Sequence, residues 1–224
     1  MKTEILIASL AAAISVAACT PAKYVALSFD DGPNTTTTPK VLDVLEENGV
    51  PASFFVIGNN INDESAQMMK RAAALGCDIE NHSLTHSSMS TLPIDSVKTE
   101  IAVTSERIKE VVGVEPAFFR PPYIDHNPAM HEAIDLTFIC GAGCEDWLPE
   151  KTAEMRAETI ISTVKDGDVI LLHDFVGNDN TVEALKTIIP ALKEQGYTFV
   201  TVPELFKLKQ VTPVRGTIYT NVLD

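Results

Sequence analysis

The chain is short of basic residues. Its 224 residues include 17 Lys and Arg against 31 Asp and Glu, which gives a formal net charge of 17 − 31 = −14 and a sequence pI of about 4.7. No run of Lys or Arg occurs anywhere along it. Proteins hold a phosphate backbone with clustered basic side chains, so this balance argues against nucleic acid as a partner.

Two glycine motifs are also missing. No Gly-x-Ser-x-Gly sequence occurs, which argues against a serine esterase, because that enzyme class exposes its nucleophile on such a turn. The one close pair of glycines, Gly141 and Gly143, lacks the rest of a dinucleotide-binding pattern. The chemistry of this protein must therefore come from other side chains.

Cysteine is scarce, with four residues in the chain. Cys19 follows an apolar amino-terminal segment, and the other three, Cys77, Cys140 and Cys144, are an odd number that cannot complete a disulfide framework. The four-residue step from Cys140 to Cys144 fits a small bridge, a metal-binding pair or two unrelated buried thiols. We favour buried thiols, because free cysteine packs as a small apolar side chain.

The remaining composition is that of an ordinary globular protein, with 45% hydrophobic and 21% charged residues. A domain of this size buries roughly 70% of the surface of its unfolded chain. It therefore needs neither disulfides nor a structural metal merely to fold.

Residues 1–18 have the pattern of a signal peptide. Lys2 precedes residues 5–18, which are 14 apolar or small residues, long enough for a signal-peptide core and too short to span a bilayer. Val16-Ala17-Ala18-Cys19 resembles a bacterial lipobox, in which the cysteine is lipidated after cleavage. We expect an exported protein, secreted or tethered to the membrane through Cys19, with a single domain over residues 19–224. A plain secretory signal cut near Ala18 and a disordered tail are the alternatives.

Short apolar runs alternate with longer segments of helical period along the rest of the chain. Pro93 opens one helical segment, and Gly113 sits where its C-terminal cap belongs. Alternating strands and helices predict an α/β fold with parallel strands, either an open doubly wound sheet or a closed barrel. Seven strands are predicted, at residues 24–29, 52–57, 77–81, 117–120, 137–141, 168–173 and 198–202.

Polar side chains follow most of these strands directly. The carboxyl ends of parallel strands share one face of an α/β protein, so we expect residues distant in sequence to converge on a single cleft there. The residues concerned are Asp30, Asp31, His82, His86, Arg120, Asp146, Trp147, His173 and Asp174.

A metal site is predicted within this set. On a helical turn, His82 and His86 would lie on the same face, close enough to share one ion. Asp31 would complete two nitrogens and one oxygen, an arrangement that leaves positions open for water and substrate. Such sites also serve iron oxygenases, but two further carboxylates and a third histidine favour hydrolysis.

The other members have separate predicted roles. Adjacent side chains of an extended segment point apart, so Asp30 becomes the general base, held ionised by Arg120. His173 suits a general acid, with Asp146 favouring its protonated form. Asp174 is either a second partner of the site or an ordinary helix cap. Trp147, the only tryptophan, is either a sugar-stacking wall or core, and core is the commoner fate.

Five segments in this order resemble the motifs of the NodB-type polysaccharide deacetylases, carbohydrate esterase family 4. The resemblance covers residues 24–208, and five ordered motifs are together highly specific. The segments are Ser28-Phe29-Asp30-Asp31-Gly32-Pro33, Asn81-His82-Ser83-Leu84-Thr85-His86, Phe119-Arg120-Pro121-Pro122-Tyr123, Glu145-Asp146-Trp147 and Leu171-Leu172-His173-Asp174.

The resemblance implies a distorted (β/α)7 barrel and a divalent metal, zinc or cobalt, bound by three ligands. Asp30 would be the base, Arg120 its orienting partner, His173 the acid and Asp146 the residue that tunes it, while the backbone N–H of Tyr123 would donate to an oxyanion. The implied ligands are Asp31, His82 and His86.

The resemblance further implies a hydrolase that removes acetyl groups from a polysaccharide or oligosaccharide. Bacterial acetyl-xylan esterases are the most similar subgroup, which favours O-acetyl xylan as the substrate, and we expect a monomer. The alternatives are N-acetylglucosamine deacetylation on peptidoglycan or chitin oligomers, and a catalytically inactive, lipid-anchored glycan-binding protein. Three departures from the family pattern, at Glu80, Ile124 and Gly143, are expected to touch the substrate groove.

Overall fold

The computed structural model describes residues 22–223. The predicted signal peptide and Cys19 lie outside these residues. Within residues 22–223, no helix combines the length and the apolar character that crossing a membrane requires.

Strands and helices alternate along the described chain. The strands are β1 Lys23–Asp30, β2 Ser53–Val56, β3 Asp78–Asn81, β4 Phe118–Phe119, β5 Thr137–Ile139, β6 Ala142–Gly143, β7 Val169–His173, β8 Tyr197–Phe199 and β9 Ile218–Tyr219. The helices are α1 Thr38–Asn48, α2 Ser65–Ala74, α3 Ile94–Val112, α4 Pro128–Ala133, α5 Ala153–Thr163, α6 Asp179–Glu194 and α7 Val202–Lys209.

The strands form one curled, parallel sheet in the order β6-β7-β1-β2-β3-β4-β5-β9, and β8 pairs with the start of β1. The chain around β9 brings the two ends of this sheet together. β9 pairs with β5, Val169 N–H donates to the Thr220 carbonyl at 3.1 Å, and Asp168 forms an isolated antiparallel bridge with Asn221. The sheet therefore closes into a distorted barrel.

The period-two pattern of β1 separates two hydrophobic layers. Val25, Leu27 and Phe29 are fully buried in the larger cluster, where they meet residues of α1 and α6 such as Leu42 and Leu185. Ala26 points to the other face, into a cluster with Phe55 and Phe118 inside the barrel. Ser28 and Asp30 continue that inward face, so the same alternation that builds the core aims a carboxylate into the barrel mouth.

Helix α7 packs against the opposite end of the barrel interior. Its residues Leu205 and Phe206 join the inner cluster, and the Phe206 ring lies 5.2 Å from Phe118 and 5.0 Å from Tyr219. Each such buried aromatic stabilises the fold by roughly 1.5–3 kcal/mol through the apolar area it removes from water. The carboxyl ends of the strands remain open to form a site.

The structure contains all seven predicted strands, although the last ends at Phe199, before α7 begins at Val202. It also contains two strands that were not predicted, Ala142–Gly143 and Ile218–Tyr219. Helix α3 begins after Pro93 and ends at Gly113, whose φ of 79° is the left-handed conformation of a C-terminal cap. Of the two architectures left open by periodicity, the closed barrel is the one observed.

Candidate active site

A cavity of about 590 Å³ opens at the carboxyl ends of the strands. Strand register explains why these residues meet there. Asp30 at the end of β1 is directly opposite His173 at the end of β7, and Asn81 of β3 is opposite Phe119 of β4, so His82 and Arg120 follow side by side. The predicted residues that line the cavity are Asp30, Asp31, His82, His86, Tyr123, Trp147 and His173.

Three side chains meet at one wall of this cavity as a candidate metal centre. Ligand atoms of Asp31, His82 and His86 all lie within 4.8 Å of one another. Asp31 Oδ1 is 3.4 Å from His82 Nε2 and 3.2 Å from His86 Nε2. Among residues 22–223, this is the one group of at least three His, Cys, Asp or Glu side chains placed to hold a metal ion.

The local backbone differs from the helical turn assumed for the two histidines. Residues 82–88 form an irregular loop, in which Ser83 and His86 have left-handed φ angles of 69° and 59°. That premise was wrong, yet the imidazole rings still come together with centroids 5.0 Å apart. The loop, rather than helical periodicity, brings them to one point.

The donor set fits a divalent cation. The carbonyl of Arg120 can only accept a hydrogen bond, so the 2.6 Å contact places the proton of His82 on Nδ1 and leaves a lone pair on Nε2 facing Asp31. Asp31 Oδ1 is buried and has no hydrogen-bond partner among the described residues. A cation bound between these two atoms would supply Asp31 Oδ1 with the partner that it lacks.

The surroundings of Asp31 also favour the ionised form of its carboxyl group. Burial opposes ionisation, but the contacts with His82 and His86 outweigh it and hold the pKa of Asp31 well below its usual range. The side-chain amide of Asn60 donates to the Asp31 carbonyl at 2.8 Å, which fixes a backbone whose φ is 74°. Gly32 follows, where an added Cβ would lie 2.7 Å from the Asp174 carboxylate.

Asp30 and Arg120 form a buried ion pair next to the candidate metal centre. Arg120 Nη1 donates to Asp30 Oδ1 at 2.6 Å, and both side chains are almost fully buried. The guanidinium also donates to Ser28 Oγ at 2.8 Å and to the Cys140 carbonyl. This fork occupies Asp30 Oδ1 and leaves Oδ2 directed toward His82 Nε2, 3.8 Å away.

His173 and Asp146 form a second pair across the cavity. His173 Nδ1 is 2.7 Å from Asp146 Oδ1, and its backbone N–H donates to Oδ2 at 2.8 Å. Burial works against a charged ring, but the hydrogen bond and charge of Asp146, with Asp30 and Asp31 adding, raise the pKa of His173 to about 9. The ring is therefore protonated at neutral pH.

Tyr123 lies on the far side of the candidate metal centre. Its ring is 71% exposed and meets His86 edge-on, with centroids 4.8 Å apart. Its φ is 59°, and its N–H is not among the backbone groups that hydrogen-bond within residues 22–223. An N–H without an internal acceptor at the rim of the cavity can donate to a substrate oxygen.

The lining of the cavity shows which of the remaining predicted residues lie at the site. Trp147 is half exposed and lines the cavity, so the cavity wall is the one of its two predicted places that is observed. Ile124 and Gly143 also line the cavity, as expected. Glu80 does not: it is buried, and its carboxylate accepts from the backbone N–H groups of Ala117 and Phe118 at 2.8 Å, so its predicted place in the groove was wrong.

Asp174 is not a helix cap, because the residue that caps α6 is Asn178. It lies fully buried beneath the first motif and accepts from Thr38 Oγ1 at 2.5 Å. Burial raises the pKa of Asp174 to about 7, and the charges of Asp31 and Asp30 add to that effect. Asp174 is thus a partner of the turn that carries Asp31.

The three described cysteines are free thiols. Burial raises the pKa of Cys77 to about 11 and that of Cys144 to about 12, so both are unreactive, whereas Cys140 borders the cavity. The interpretation as unpaired thiols is confirmed, and Cys77 and Cys144 are buried as expected, but Cys140 is only partly buried.

Sequence reasoning missed two supporting positions. Ser28 accepts from Arg120 and donates to the Ile170 carbonyl at 2.8 Å, and Thr181 donates to Asp146 at 2.7 Å. A polar residue on the inward face of an otherwise apolar strand was the available signal for Ser28. No such signal marks Thr181, because it lies 35 residues from its partner, on a helix.

Comparison with known proteins gives consistent matches. The family model described as polysaccharide deacetylase matches residues 17–137. A bifunctional xylanase/deacetylase of Pseudobutyrivibrio xylanivorans is 48% identical over 201 residues, which are 89% of this chain and 33% of that protein. The peptidoglycan-N-acetylglucosamine deacetylase PgdA of Listeria monocytogenes is 34% identical over 185 residues, 82% of this chain and 39% of that protein. The chain thus spans well under half of the length of either relative.

Two solved structures are similar throughout. The Xyl-CE4 domain of a multidomain xylanase from the hindgut metagenome of Trinervitermes trinervoides matches with a TM-score of 0.89 and 46% identity, covering 91% of this chain and 99% of that one. A family 4 acetyl xylan esterase from Clostridium thermocellum, solved with a cobalt ion, matches with a TM-score of 0.87 and 42% identity, covering 89% and 99%. The distorted (β/α)7 barrel is thereby confirmed.

Proposed function

Since this chain belongs to the polysaccharide deacetylase family, we propose that it hydrolyses acetyl groups from a carbohydrate polymer in a metal-dependent reaction. The observation that carries the proposal is the convergence of two charge-paired groups on one candidate metal centre. Asp30, held by Arg120, and His173, held by Asp146, line the same cavity as the three metal ligands. A base, an acid and a cation site around one cavity are the groups that metal-dependent acyl hydrolysis uses.

The ligands of the ion would be Asp31, His82 and His86, and we propose zinc or cobalt because two imidazoles and one carboxylate suit such metals. When bound, the ion supplies Lewis-acid polarisation of the acetyl carbonyl and of a water molecule. The other steps of the reaction are carried out by side chains and one backbone N–H group of this chain.

Asp30 accepts the proton of the attacking water. Its Oδ1 is engaged by Arg120, so Oδ2 is the oxygen available to take that proton. The backbone N–H of Tyr123 has no acceptor within the described chain. It donates to the negatively charged oxygen that develops from the acetyl carbonyl group.

His173 then supplies a proton to the departing group. Asp146 holds its Nδ1, so the opposite ring nitrogen carries the proton toward the cavity. The proton passes to the sugar oxygen or nitrogen as its bond to the acetyl carbon breaks, and the products are acetate and a free hydroxyl or amine. A nitrogen leaving group needs this proton more than an oxygen does.

For the substrate we propose O-acetylated xylan. The support is the similarity to a xylanase/deacetylase at 48% identity and to an acetyl xylan esterase at 42%. N-acetylglucosamine oligomers of peptidoglycan or chitin are the second candidate, supported by the 34% identity to PgdA and by a protonated His173, which suits an amide.

The test is acetate release from O-acetyl xylan and from N-acetylglucosamine oligomers, measured side by side before chelation, after chelation and after addition of Zn²⁺ or Co²⁺. We expect release from the xylan that chelation abolishes and added metal restores. Asp30→Asn should lower the rate by about 10²–10⁴-fold, as loss of a general base does. Asp63→Asn, on an exposed carboxyl outside the cavity, is the matched control.

Two outcomes would contradict the proposal. Acetate release that is unaffected by chelation would remove the metal from the mechanism. Undetectable release from both substrates with metal supplied would instead favour a glycan-binding protein without catalytic activity.

We also propose export, with lipidation of Cys19, on the strength of the apolar residues 5–18 and the Val16-Ala17-Ala18-Cys19 segment. Wild-type protein expressed in bacteria should partition into detergent and the Cys19→Ala variant into the aqueous phase. Equal partitioning of both would argue for a plain secretory signal.

A further inference from the structure

The loop between His82 and His86 has few backbone interactions of its own. Ser83 and His86 are both in left-handed conformations, which non-glycine residues adopt at an energetic cost unless their surroundings hold them. The separation of the two imidazoles therefore depends on whatever holds residues 83–85.

An accounting of the backbone N–H groups in this loop identifies its support. Ser83 N–H donates to the Asn81 side chain at 2.8 Å, and His86 N–H donates to Ser83 Oγ at 3.0 Å. The two N–H groups between them, of Leu84 and Thr85, both donate to Oε2 of Glu100 at 2.8 Å. Two of the four N–H groups of residues 83–86 thus donate to one carboxylate.

Glu100 is placed to hold this loop rigidly. It lies on α3, and its carboxylate also accepts from Thr85 Oγ1 at 2.8 Å through Oε1, so both oxygens are engaged. Glu100 is only 9% exposed, so water does not compete freely for these hydrogen bonds. Hydrogen bonds to an ionised carboxylate are stronger than those to a neutral acceptor.

The opposite edge of the loop is fixed to a different element. The carbonyls of Ser83 and Leu84 accept from the N–H groups of Gly58 and Asn59, at 2.9 and 3.0 Å. His82 is fixed independently, at the end of β3 and against the Arg120 carbonyl. The position of His86 relative to His82 is consequently set by the loop, and the side of the loop that faces α3 is held by Glu100.

We propose that Glu100 is a positioning residue for the metal centre: its three hydrogen bonds to residues 84 and 85 set the spacing of His82 and His86 and so the affinity for the ion. The inference rests on the proposed metal-dependent function. The loss of groups that orient metal ligands typically lowers metal affinity by about 10–100-fold.

The experiment measures metal affinity rather than activity. Apoprotein is titrated with Co²⁺, with the visible absorption of the bound ion and competition with a chelator as readouts, and thermal unfolding of each apoprotein is measured in parallel. We expect Glu100→Ala to weaken Co²⁺ binding by about 10–100-fold. Glu100→Asp keeps the negative charge but shortens the side chain by one methylene group, so it should also weaken binding. It replaces the Ala variant in the experiment if that variant does not fold.

Two variants separate positioning from a simple loss of negative charge. Glu100→Gln keeps a carbonyl that can accept from both N–H groups and an amide that can donate to Thr85, so its affinity should stay within about threefold of wild type, well inside the loss expected when the support is removed. Glu106→Ala removes the same charge from an exposed site on the same helix and should leave the affinity unchanged.

Three results bear on the inference. Affinities of Glu100→Ala and Glu100→Asp that both equal the wild-type value would overturn it. A Glu100→Gln affinity as weak as that of Glu100→Ala would also overturn it, because charge and not geometry would then govern binding. Wild-type protein that binds no Co²⁺ would instead refute the metal site itself, and with it the proposed function.

Discussion

Replacing Asp146 with Asn tests the electrostatic coupling between Asp146 and His173 in the cavity. In the wild type, burial lowers the pKa of His173, but the hydrogen bond between its ring and Asp146 and the charges of Asp146, Asp30 and Asp31 raise it from 6.5 to about 9. An ion held by the ligand trio would offset the pull of Asp31 on this ring but would leave the contact with Asp146 in place.

The expected size of the effect follows from that shift. A pKa near 9 keeps about 97% of His173 protonated at pH 7.5, whereas an ordinary pKa of 6.5 leaves about 10%. We therefore expect Asp146→Asn to lower the rate on an amide substrate about tenfold at that pH. The alkaline limb of the pH–rate profile of the variant should therefore lie at lower pH than that of the wild type.

The same coupling makes stability depend on pH. The folded-state pKa of His173 lies above its unfolded value of 6.5, so its contribution is fully present below pH 6.5 and is lost as the pH rises through about 9. The free energy of unfolding of the metal-free protein should fall over this window, by about 3 kcal/mol at most. Asp146→Asn should remove that slope.

The assay combines kcat against pH on N-acetylglucosamine oligomers with urea unfolding of the metal-free protein over the same pH range. Asp63→Asn, which removes an exposed carboxyl, should leave both curves unchanged. If the alkaline limb of Asp146→Asn lies at the same pH as that of the wild type, Asp146 does not control the charge of His173, and the reasoning is refuted.

Three further substitutions have defined outcomes. His173→Ala should cost more in kcat on an amide than on an ester, because an amine leaving group depends more on the proton; equal losses would contradict its role as the acid. Asp31→Ala should abolish tight Zn²⁺ binding in equilibrium dialysis, and a retained ion would exclude Asp31 as a ligand. Ile124→Gly should raise the free energy of unfolding by about 1 kcal/mol, because a β-branched side chain at a φ of 54° is strained; an unchanged or lower Tm would show that no strain is stored there.

Local patterns in the sequence predicted the elements with a clear period. The apolar run at residues 24–29 predicted strand β1, and Pro93 and Gly113 marked the ends of α3. The two missed strands, Ala142–Gly143 and Ile218–Tyr219, have two residues each, too few to show any period, and only their partners in the sheet define them.

The sequence predicted which residues meet at the candidate site better than it predicted their geometry. Residues that follow parallel strands must meet at one face, and this placed Asp30, His82 and His173 together from the sequence alone. The helical turn assumed for His82 and His86 was wrong, because left-handed residues in that loop are set by contacts from other elements. Glu80 was misplaced for a similar reason, since its hydrogen bonds turn it away from the groove.

The sequence alone determined the fold class, the chemical types of the candidate ligands and the strands that they follow, because these depend on local period and residue type. Only the tertiary structure decided that the barrel closes through residues 218–222, that Arg120 reaches Asp30 and Ser28 together, and that Glu100 supports the His82–His86 loop. These contacts join residues between 15 and 92 positions apart. Their distances depend on how the whole chain packs, and no local pattern encodes them.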